Sequence, residues 1–347
     1  RGRSRTRARA TVVVFKYACH RRITRAHNQR ACGGAFPGRK VMTGTREPVR
    51  RVALDTNYYR GASVELIAAI VERGFQVSVS LNAFAEHWLR SHTEDNIGLL
   101  VGRAKRLKSL VDPRLPLLPT GAQLVALIGG TALGAPEPRL TEFLTWTREV
   151  WSELTAGNVH PGWWTQGALA SLATIGEDEE VFDGLRRLTP EMFPAVVALP
   201  ERQAAARLGA IFRQQATLLE KCPYGVQSRK HAFYAAAALH IVRAHQQPAS
   251  CSIEPNVAED IDLLQHLATP ALLLTRDFPL ISLVDQSGTC QAPWVRTIGE
   301  LLTDGPPPGL PWGKNAWRVA EGFIRRQRNE LSRLDDETAG RLRRPTA

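Results

Sequence analysis

The sequence lacks any run of about eighteen apolar residues, the length that a membrane-spanning helix requires. The apolar stretch near its start, Thr11–Phe15, is too short for the core of a signal peptide. Its five cysteines are an odd number at irregular spacings, which favours neither a disulfide framework nor a common zinc pattern. With a hydrophobic fraction of 44% and a charged fraction of 22%, the sequence predicts a globular, cytoplasmic protein that does not enter a membrane.

The chain also has no excess of charge outside its first residues. Residues 1–42 contain twelve Lys or Arg and no Asp or Glu, and subtracting these twelve from 45 leaves 33, equal to the 33 acidic residues. A basic arm of this kind can bind phosphates non-specifically. The segment has no helical or strand period, however, and Met42 directly precedes the first patterned stretch. We therefore expect residues 1–42 to be a disordered or untranslated segment.

Strands and helices alternate in residues 43–90. Arg51–Leu54 is a short apolar run typical of a buried strand, and Phe75–Ser80 alternates as a second strand. Ser63–Arg73 has helical spacing, and Ala83–Arg90 begins a second helix. This alternation predicts an α/β fold with a parallel sheet and right-handed crossovers.

Residues 91–250 break this rhythm and are predicted to form an all-helical insertion or subdomain. Proline- and glycine-containing turns, such as Asp112–Pro119, separate the segments of helical periodicity. These segments are Leu99–Leu110, Leu140–Leu154, Trp164–Ile175, Pro200–Glu220 and Gln227–His245.

The sheet pattern resumes in residues 251–304. We expect a helix at Ala258–Leu267, a buried strand at Ala271–Thr275 and a short strand at Pro293–Arg296 that leads into the helix Thr297–Leu302. Residues 305–347 are a proline-rich linker and a polar terminal helix. The predicted sheet is therefore assembled from two stretches on either side of the insertion.

Four acidic residues lie where these elements begin or end. Asp55 closes the first strand, Glu86 lies about one turn into the following helix, Asp260 begins the late helix, and Asp277 follows the late strand. The carboxyl ends of parallel strands line the functional crevice of an open sheet, so all four can reach one place. Each alone has an ordinary explanation as a helix cap, a turn residue or a solvated side chain. Their combination predicts a shared site.

Acids that converge without a compensating Lys or Arg repel one another, and a divalent cation relieves this repulsion. Mg²⁺ is typically held by a few carboxylates, waters and a substrate phosphate. The identity of the third acid is open, because Asp262 or Glu259 could replace Asp260. Three polar residues are candidate hydrogen-bond partners of the acids: Thr56, Asn57 and Thr275.

In these features the sequence resembles the PIN-like nucleases, which include the toxin ribonucleases of VapC type. The matching segments are Asp55-Thr56-Asn57, the Ser80-to-Glu86 spacing, and the Asp260 helix that leads into Leu274-Thr275-Arg276-Asp277. The resemblance implies a three-layer α/β/α core with a parallel sheet. It also implies that Asp55, Glu86, Asp260 and Asp277 bind one or two Mg²⁺ or Mn²⁺ ions and are the catalytic residues.

The function that this resemblance implies is a metal-dependent endonuclease, acting on RNA rather than DNA. Two alternatives stay open: a catalytically inactive nucleic-acid-binding or regulatory protein of the same fold, and a toxin silenced by an antitoxin-like partner that docks on the helical insertion. Two further groups of residues are weaker candidates for contacts with nucleic acid: the basic residues Arg103, Lys105, Arg106 and Lys108, and the segment His160–Trp164.

Overall fold

The computed structural model describes residues 51–93, 97–119, 124, 137–159, 184–219, 228–248, 257–308 and 311. All of them belong to one compact unit, residues 47–347. Several predictions lie outside the described residues: those for residues 1–42, for the helices at 164–175 and 315–334, and for the aromatic segment 160–164. Among the helices that are described, none is both long and apolar enough to cross a membrane.

Five parallel strands form the sheet, in the order β3-β2-β1-β4-β5. The strands are β1 (Arg51–Leu54), β2 (Gln76–Ser80), β3 (Leu117–Leu118), β4 (Ala271–Leu274) and β5 (Val295–Arg296). β1, β2 and β4 are buried along nearly their whole length, as expected when helices cover both faces of a parallel sheet. The chain runs outward from β1 through β2 to β3 and then returns to β4 on the other side of β1. The direction of winding therefore reverses between β1 and β4.

Four helices belong to the first half of the sheet: α1 (Thr56–Gly61), α2 (Val64–Glu72), α3 (Leu81–Thr93) and α4 (Ile97–Leu107). The Ser63 side chain caps α2 by accepting a hydrogen bond from the Leu66 amide at 3.2 Å. Gly74 then adopts a φ of 81° just beyond the helix, a conformation that glycine accepts without steric cost. These signals give α2 the limits that the sequence predicts.

The second half of the chain is rich in helices. They are α5 (Glu137–Ala156), α6 (Pro194–Val197), α7 (Glu201–Leu219), α8 (His231–Gln246), α9 (Val257–Asp262), α10 (Phe278–Gln286) and α11 (Ile298–Asp304). Residues 184–192 are also helical. The described residues also include three 3₁₀ segments: Ser228–Lys230, Leu263–Ala268 and Ala292–Trp294.

One main hydrophobic core surrounds the sheet, and a smaller core joins three helices. The main core includes Leu154 of α5 and Ala236 of α8 together with the strands. The smaller core lies between α6, α7 and α8. At Gly209 of α7, a Cβ atom would lie 3.3 Å from the carbonyl oxygen of Tyr234, so glycine permits the close approach of α7 to α8. Helix α8 therefore connects the two cores.

The mixed α/β fold with a parallel sheet is confirmed, with one correction. The prediction that residues 91–250 are all helical is wrong at Leu117–Leu118, because this strand pairs with Val79 and Ser80 of β2. A strand of two residues between Pro116 and Pro119 is too short to show a strand period, so the sequence indicated a turn. The sheet therefore continues past residue 90. The PIN-like assignment stays a prediction.

Candidate active site

The candidate site lies at the carboxyl ends of β1 and β4, where the winding of the sheet reverses. The Asp55 amide donates to the Leu274 carbonyl at 3.1 Å, which joins the ends of the two strands. In open α/β sheets, ligands bind in the crevice outside the carboxyl ends of the strands at such a switch point. The topology therefore marks this edge as the place for a functional site.

Asp55 is buried at this edge, with only 2% of its surface exposed. Its Oδ1 atom caps α1 by accepting a hydrogen bond from the Tyr58 amide at 2.9 Å. Burial raises the pKa of Asp55 to about 6, and the negative charge of Asp277 adds to this effect. Hydrogen bonds from the Thr275 hydroxyl and from the Tyr58 and Asn57 amides oppose it. The carboxylate is thus poorly solvated but well oriented.

Asp277 and Asp260 form the second part of the cluster. Asp277 caps α10 through Oδ1, which accepts from the Leu280 amide at 2.7 Å. Asp260 lies in α9, and burial raises its pKa to about 7. The charge of Asp277 and a hydrogen bond to Asp277 add to this rise, as do the charges of Glu259 and Glu86. The negative charge of Asp277 therefore favours the protonated form of Asp260.

Glu86 is the fourth acid of the cluster. It is half-buried on α3, and its Oε2 atom accepts a hydrogen bond of 2.6 Å from the Thr56 hydroxyl. Its charge acts on Asp260 across the gap between α3 and α9. The structure thus brings together all four acids that the sequence singled out, although residues 86 and 260 are far apart in the chain.

The three predicted hydrogen-bond partners differ in what they contact. Thr275 is fully buried, donates to Asp55 and accepts from the Asp277 amide at 2.8 Å, so it connects the two acids. Thr56 holds Glu86, as described above. The Asn57 side chain is exposed, and only its amide contacts Asp55.

The alternative third ligand, Asp262, takes part in a different set of contacts. Its Oδ2 atom accepts from the Asn82 amide nitrogen at 2.8 Å, and its Oδ1 atom accepts from Gln265. Burial raises its pKa, while these hydrogen bonds and the charge of Lys230 oppose the rise. Asp262 thus attaches α9 to the first turn of α3, which favours Asp260 as the acid of the cluster.

The sequence reasoning did not identify Asn82. The available signal was its position four residues before Glu86 on α3, which places both side chains on the same helix face. That face meets α9 twice, through Asn82 with Asp262 and through Glu86 with Asp260. Asn82 therefore sets the distance between two acids of the cluster.

The basic residues near the site contact other groups. The Arg276 guanidinium lies over the Tyr58 ring, with Cζ 4.9 Å from the ring centroid. Arg103 is buried and donates to the backbone carbonyls of Tyr59 and Tyr58, the latter at 3.1 Å, so the prediction that it contacts phosphate is wrong. Among the described charges that act on Asp55 and Asp260, none is a Lys or Arg.

The donor chemistry of the cluster fits a hard divalent cation, because all four side chains offer carboxylate oxygens. As the side chains stand, however, no three His, Cys, Asp or Glu within the described ranges are arranged so that they could hold a metal ion. Burial and the neighbouring acids raise the pKa of Asp260 to about 7, so a proton on Asp260 would compete with a cation for this site.

Comparisons with known protein families, with curated proteins and with solved structures find no match to this chain. The fold and the site therefore define only a class: an α/β protein with a parallel sheet and an acidic cluster at its switch point.

Proposed function

We propose that this protein is a Mg²⁺- or Mn²⁺-dependent endonuclease that hydrolyses phosphodiester bonds, with RNA favoured over DNA. The observation that carries the proposal is the meeting of Asp55, Glu86, Asp260 and Asp277 at the switch point of the sheet. Acids that raise one another's pKa in a partly buried place are unfavourable for stability alone, and such perturbed pKa values cluster at functional sites.

Asp55, Glu86, Asp260 and Asp277 would hold the cation. A bound divalent ion supplies Lewis-acid stabilisation of the phosphoryl oxygen and lowers the pKa of a water. Thr275 fixes Asp55 relative to Asp277, and Thr56 fixes Glu86, so these acids are oriented before the substrate arrives. Because burial raises the pKa values of Asp55 and Asp260, binding of a cation would compete with protons at these two acids.

A cleavage assay with the full chain tests the proposal. The protein is incubated with a pool of RNA and single-stranded DNA in Mg²⁺, Mn²⁺ or EDTA, and the products are resolved by length. We expect cleavage that needs the metal and is lost in Asp55→Asn. Asp304→Asn is the matched control, because Asp304 is 62% exposed at the end of α11 and is not among the charges that act on Asp55 or Asp260. Binding that persists in EDTA without any cleavage would instead support a nucleic-acid-binding protein of the same fold.

A toxin silenced by an antitoxin-like partner is a narrower form of the same proposal. If the activity is toxic, expression of the wild-type chain arrests growth and expression of Asp277→Asn does not. Growth that is equal for the two chains would reject the toxin hypothesis and leave the nuclease proposal to the cleavage assay.

A further inference from the structure

We propose that Phe278 and Arg276 bind single-stranded nucleic acid beside the acidic cluster, with an unpaired base stacked on Phe278 and a phosphate held by Arg276. The two side chains flank Asp277, so the inference extends the proposed nuclease function to the form of its substrate. It rests on that function for its meaning, but its test measures binding and does not need cleavage.

Phe278 is the most exposed large apolar side chain in the described part of the chain. It is 67% exposed, and only Leu99, at 53%, is comparable among the residues described. Single exposed apolar residues are common on protein surfaces, so exposure by itself decides little. The position decides more, because Phe278 directly follows an acid of the candidate site. Consecutive Cα atoms are about 3.8 Å apart, which places the Cα atom of Phe278 beside that of Asp277.

The backbone that carries Phe278 is held in place. The Asp277 amide donates to the Thr275 hydroxyl at 2.8 Å, and the Leu280 amide donates to the Asp277 carboxylate at 2.7 Å. Pro279 restricts φ in the first turn of α10. A ring on such a segment offers a platform for stacking with little loss of backbone freedom on binding.

Arg276 is a positioned cation on the other side of Asp277. Its guanidinium lies over the Tyr58 ring, and Tyr58 is itself fixed, because its hydroxyl accepts a hydrogen bond of 2.9 Å from the Ile298 amide. Arg276 is exposed, and within the described residues no ion pair joins it to a carboxylate. A planar guanidinium with open donors suits the oxygens of a phosphate.

Together, Phe278 and Arg276 favour an unpaired strand over a duplex as the ligand. An aromatic face can stack only on a base whose own face is open, and stacking of this kind tolerates any base. The bases inside a duplex are already stacked on one another, so Phe278 could not reach them without unpairing. Phosphate contact by Arg276 adds affinity that does not depend on sequence.

Equilibrium binding in EDTA tests the role of Phe278, since it separates binding from cleavage. The full-length protein is titrated into a labelled single-stranded RNA oligonucleotide, and the affinity is compared among the wild type, Phe278→Ala, Phe278→Leu, Phe278→Trp and Leu99→Ala. We expect Phe278→Ala to bind roughly 5- to 150-fold more weakly, the loss that one stacked base implies. Phe278→Trp should restore binding, Phe278→Leu should not, and Leu99→Ala should match the wild type.

The dependence of binding on salt tests Arg276. Each phosphate contact with a single strand contributes about 0.7 to the slope of log affinity against log salt. We expect Arg276→Gln to reduce the magnitude of the slope by about that amount, and Arg202→Gln, an exposed control on α7, to leave it unchanged.

Several results would overturn the inference. The first is unchanged binding in Phe278→Ala. The second is equal binding in Phe278→Leu and the wild type, which would indicate a general apolar contact such as one with a protein partner. The third is an affinity of the wild type for duplex RNA equal to that for single-stranded RNA.

Failure of the nuclease proposal would give different results. A protein that needs Phe278 for binding but never cleaves with metal supports this inference and rejects the nuclease. Metal-dependent cleavage by Phe278→Ala with unchanged substrate affinity would support the nuclease and reject this inference.

Discussion

At the scale of single residues, two carboxyl groups of the acidic cluster have raised pKa values, those of the buried Asp55 and the half-buried Asp260. The pKa of Asp55 rises from 3.8 to about 6 and that of Asp260 from 3.8 to about 7, chiefly because burial disfavours the charged form. The folded state therefore binds protons more tightly than the unfolded chain does. A divalent cation competes with these protons, so pH controls both stability and metal binding.

This competition gives a pH dependence of stability with a definite sign. Because both pKa values are raised, the stabilisation is fully present below pH 3.8 and is lost as the pH rises through about 6 and about 7. In EDTA we therefore expect the melting temperature of the protein to fall as the pH rises through about 6 and about 7. We expect Mg²⁺ or Mn²⁺ to raise the melting temperature at about pH 8 more than at about pH 5. A metal effect that is equal at the two pH values would contradict this expectation.

Removing the charge of Asp55 should stabilise the metal-free protein while it abolishes activity. A pKa rise from 3.8 to about 6 corresponds to a penalty of up to about 3 kcal/mol for the ionised form. In Asp55→Asn the side-chain oxygen can still accept from the Tyr58 amide. We expect denaturant unfolding in EDTA at about pH 8 to show a gain of about 1–3 kcal/mol over the wild type. A loss of stability would show that the acid is a structural cap and little else.

At the scale of elements, the packing of α9 on α3 sets the geometry of the site. Asn82 donates to Asp262 at 2.8 Å, one helical turn from the place where Glu86 acts on Asp260. In the same region, His266 and Ser80 lie within hydrogen-bond distance at 2.8 Å, which ties the 3₁₀ segment after α9 to the end of β2. Burial lowers the pKa of His266 to about 3, so its ring is neutral at physiological pH.

Loss of the Asn82 side chain should weaken metal binding without removing a ligand. Asn82→Ala leaves a half-buried Asp262 oxygen without this donor, which should lower the free energy of unfolding by about 1–3 kcal/mol. We also expect Mn²⁺ affinity, measured by calorimetry, to fall several-fold, because Asp260 would no longer be held opposite Glu86. Asn158→Ala removes an exposed hydrogen bond to Glu153 and is the control. Unchanged Mn²⁺ affinity in Asn82→Ala would exclude the positioning role.

The elements that the sequence predicts well are those with enough residues to show a period. β1, β2 and β4 are runs of four or five mostly buried residues, and their predicted limits are correct within a residue. The two residues of β3 are too few, as described above. Helix α10 was also missed, because Asp277 followed by Phe278-Pro279 indicated a turn, whereas the aspartate is its N-cap. The same acid thus has a structural role and a proposed functional one.

At the scale of the whole molecule, a buried ion pair and the candidate site lie at opposite ends of the sheet. At the amino end, Arg51 donates to the Ser78 hydroxyl at 2.6 Å and to the Asp112 carboxylate at 2.9 Å. Burial lowers the pKa of Arg51, and the charge of Asp112 opposes this effect. This buried pair joins β1, β2 and the segment that leads to β3.

Breaking the Arg51 pair should therefore reduce stability and leave the site intact. Arg51→Met leaves the Asp112 carboxylate, only 10% exposed, without its partner, and the free energy of unfolding should fall by about 3–5 kcal/mol. Below the lower melting temperature, we expect Mn²⁺ affinity close to that of the wild type. A parallel loss of Mn²⁺ affinity would show that the two ends of the sheet are coupled.

The convergence of the four acids is the part of the site that no local pattern could establish. Sequence signals place Asp55 and Asp277 at strand ends, but only the strand order makes β1 and β4 neighbours. The choice between Asp260 and Asp262 likewise depends on which helix face meets α3. The exposure of Phe278 depends on the packing of α10, which an N-terminal aromatic residue does not reveal.

The most direct test of the central claim is a crystal structure of the full chain grown with Mn²⁺ at about pH 8, where both raised carboxyl groups are ionised. The anomalous difference map should show a peak within about 2.5 Å of carboxylate oxygens from Asp55, Asp260 and Asp277, with Glu86 as a ligand directly or through water. A map without density there, while the four acids remain as they are, would contradict the account.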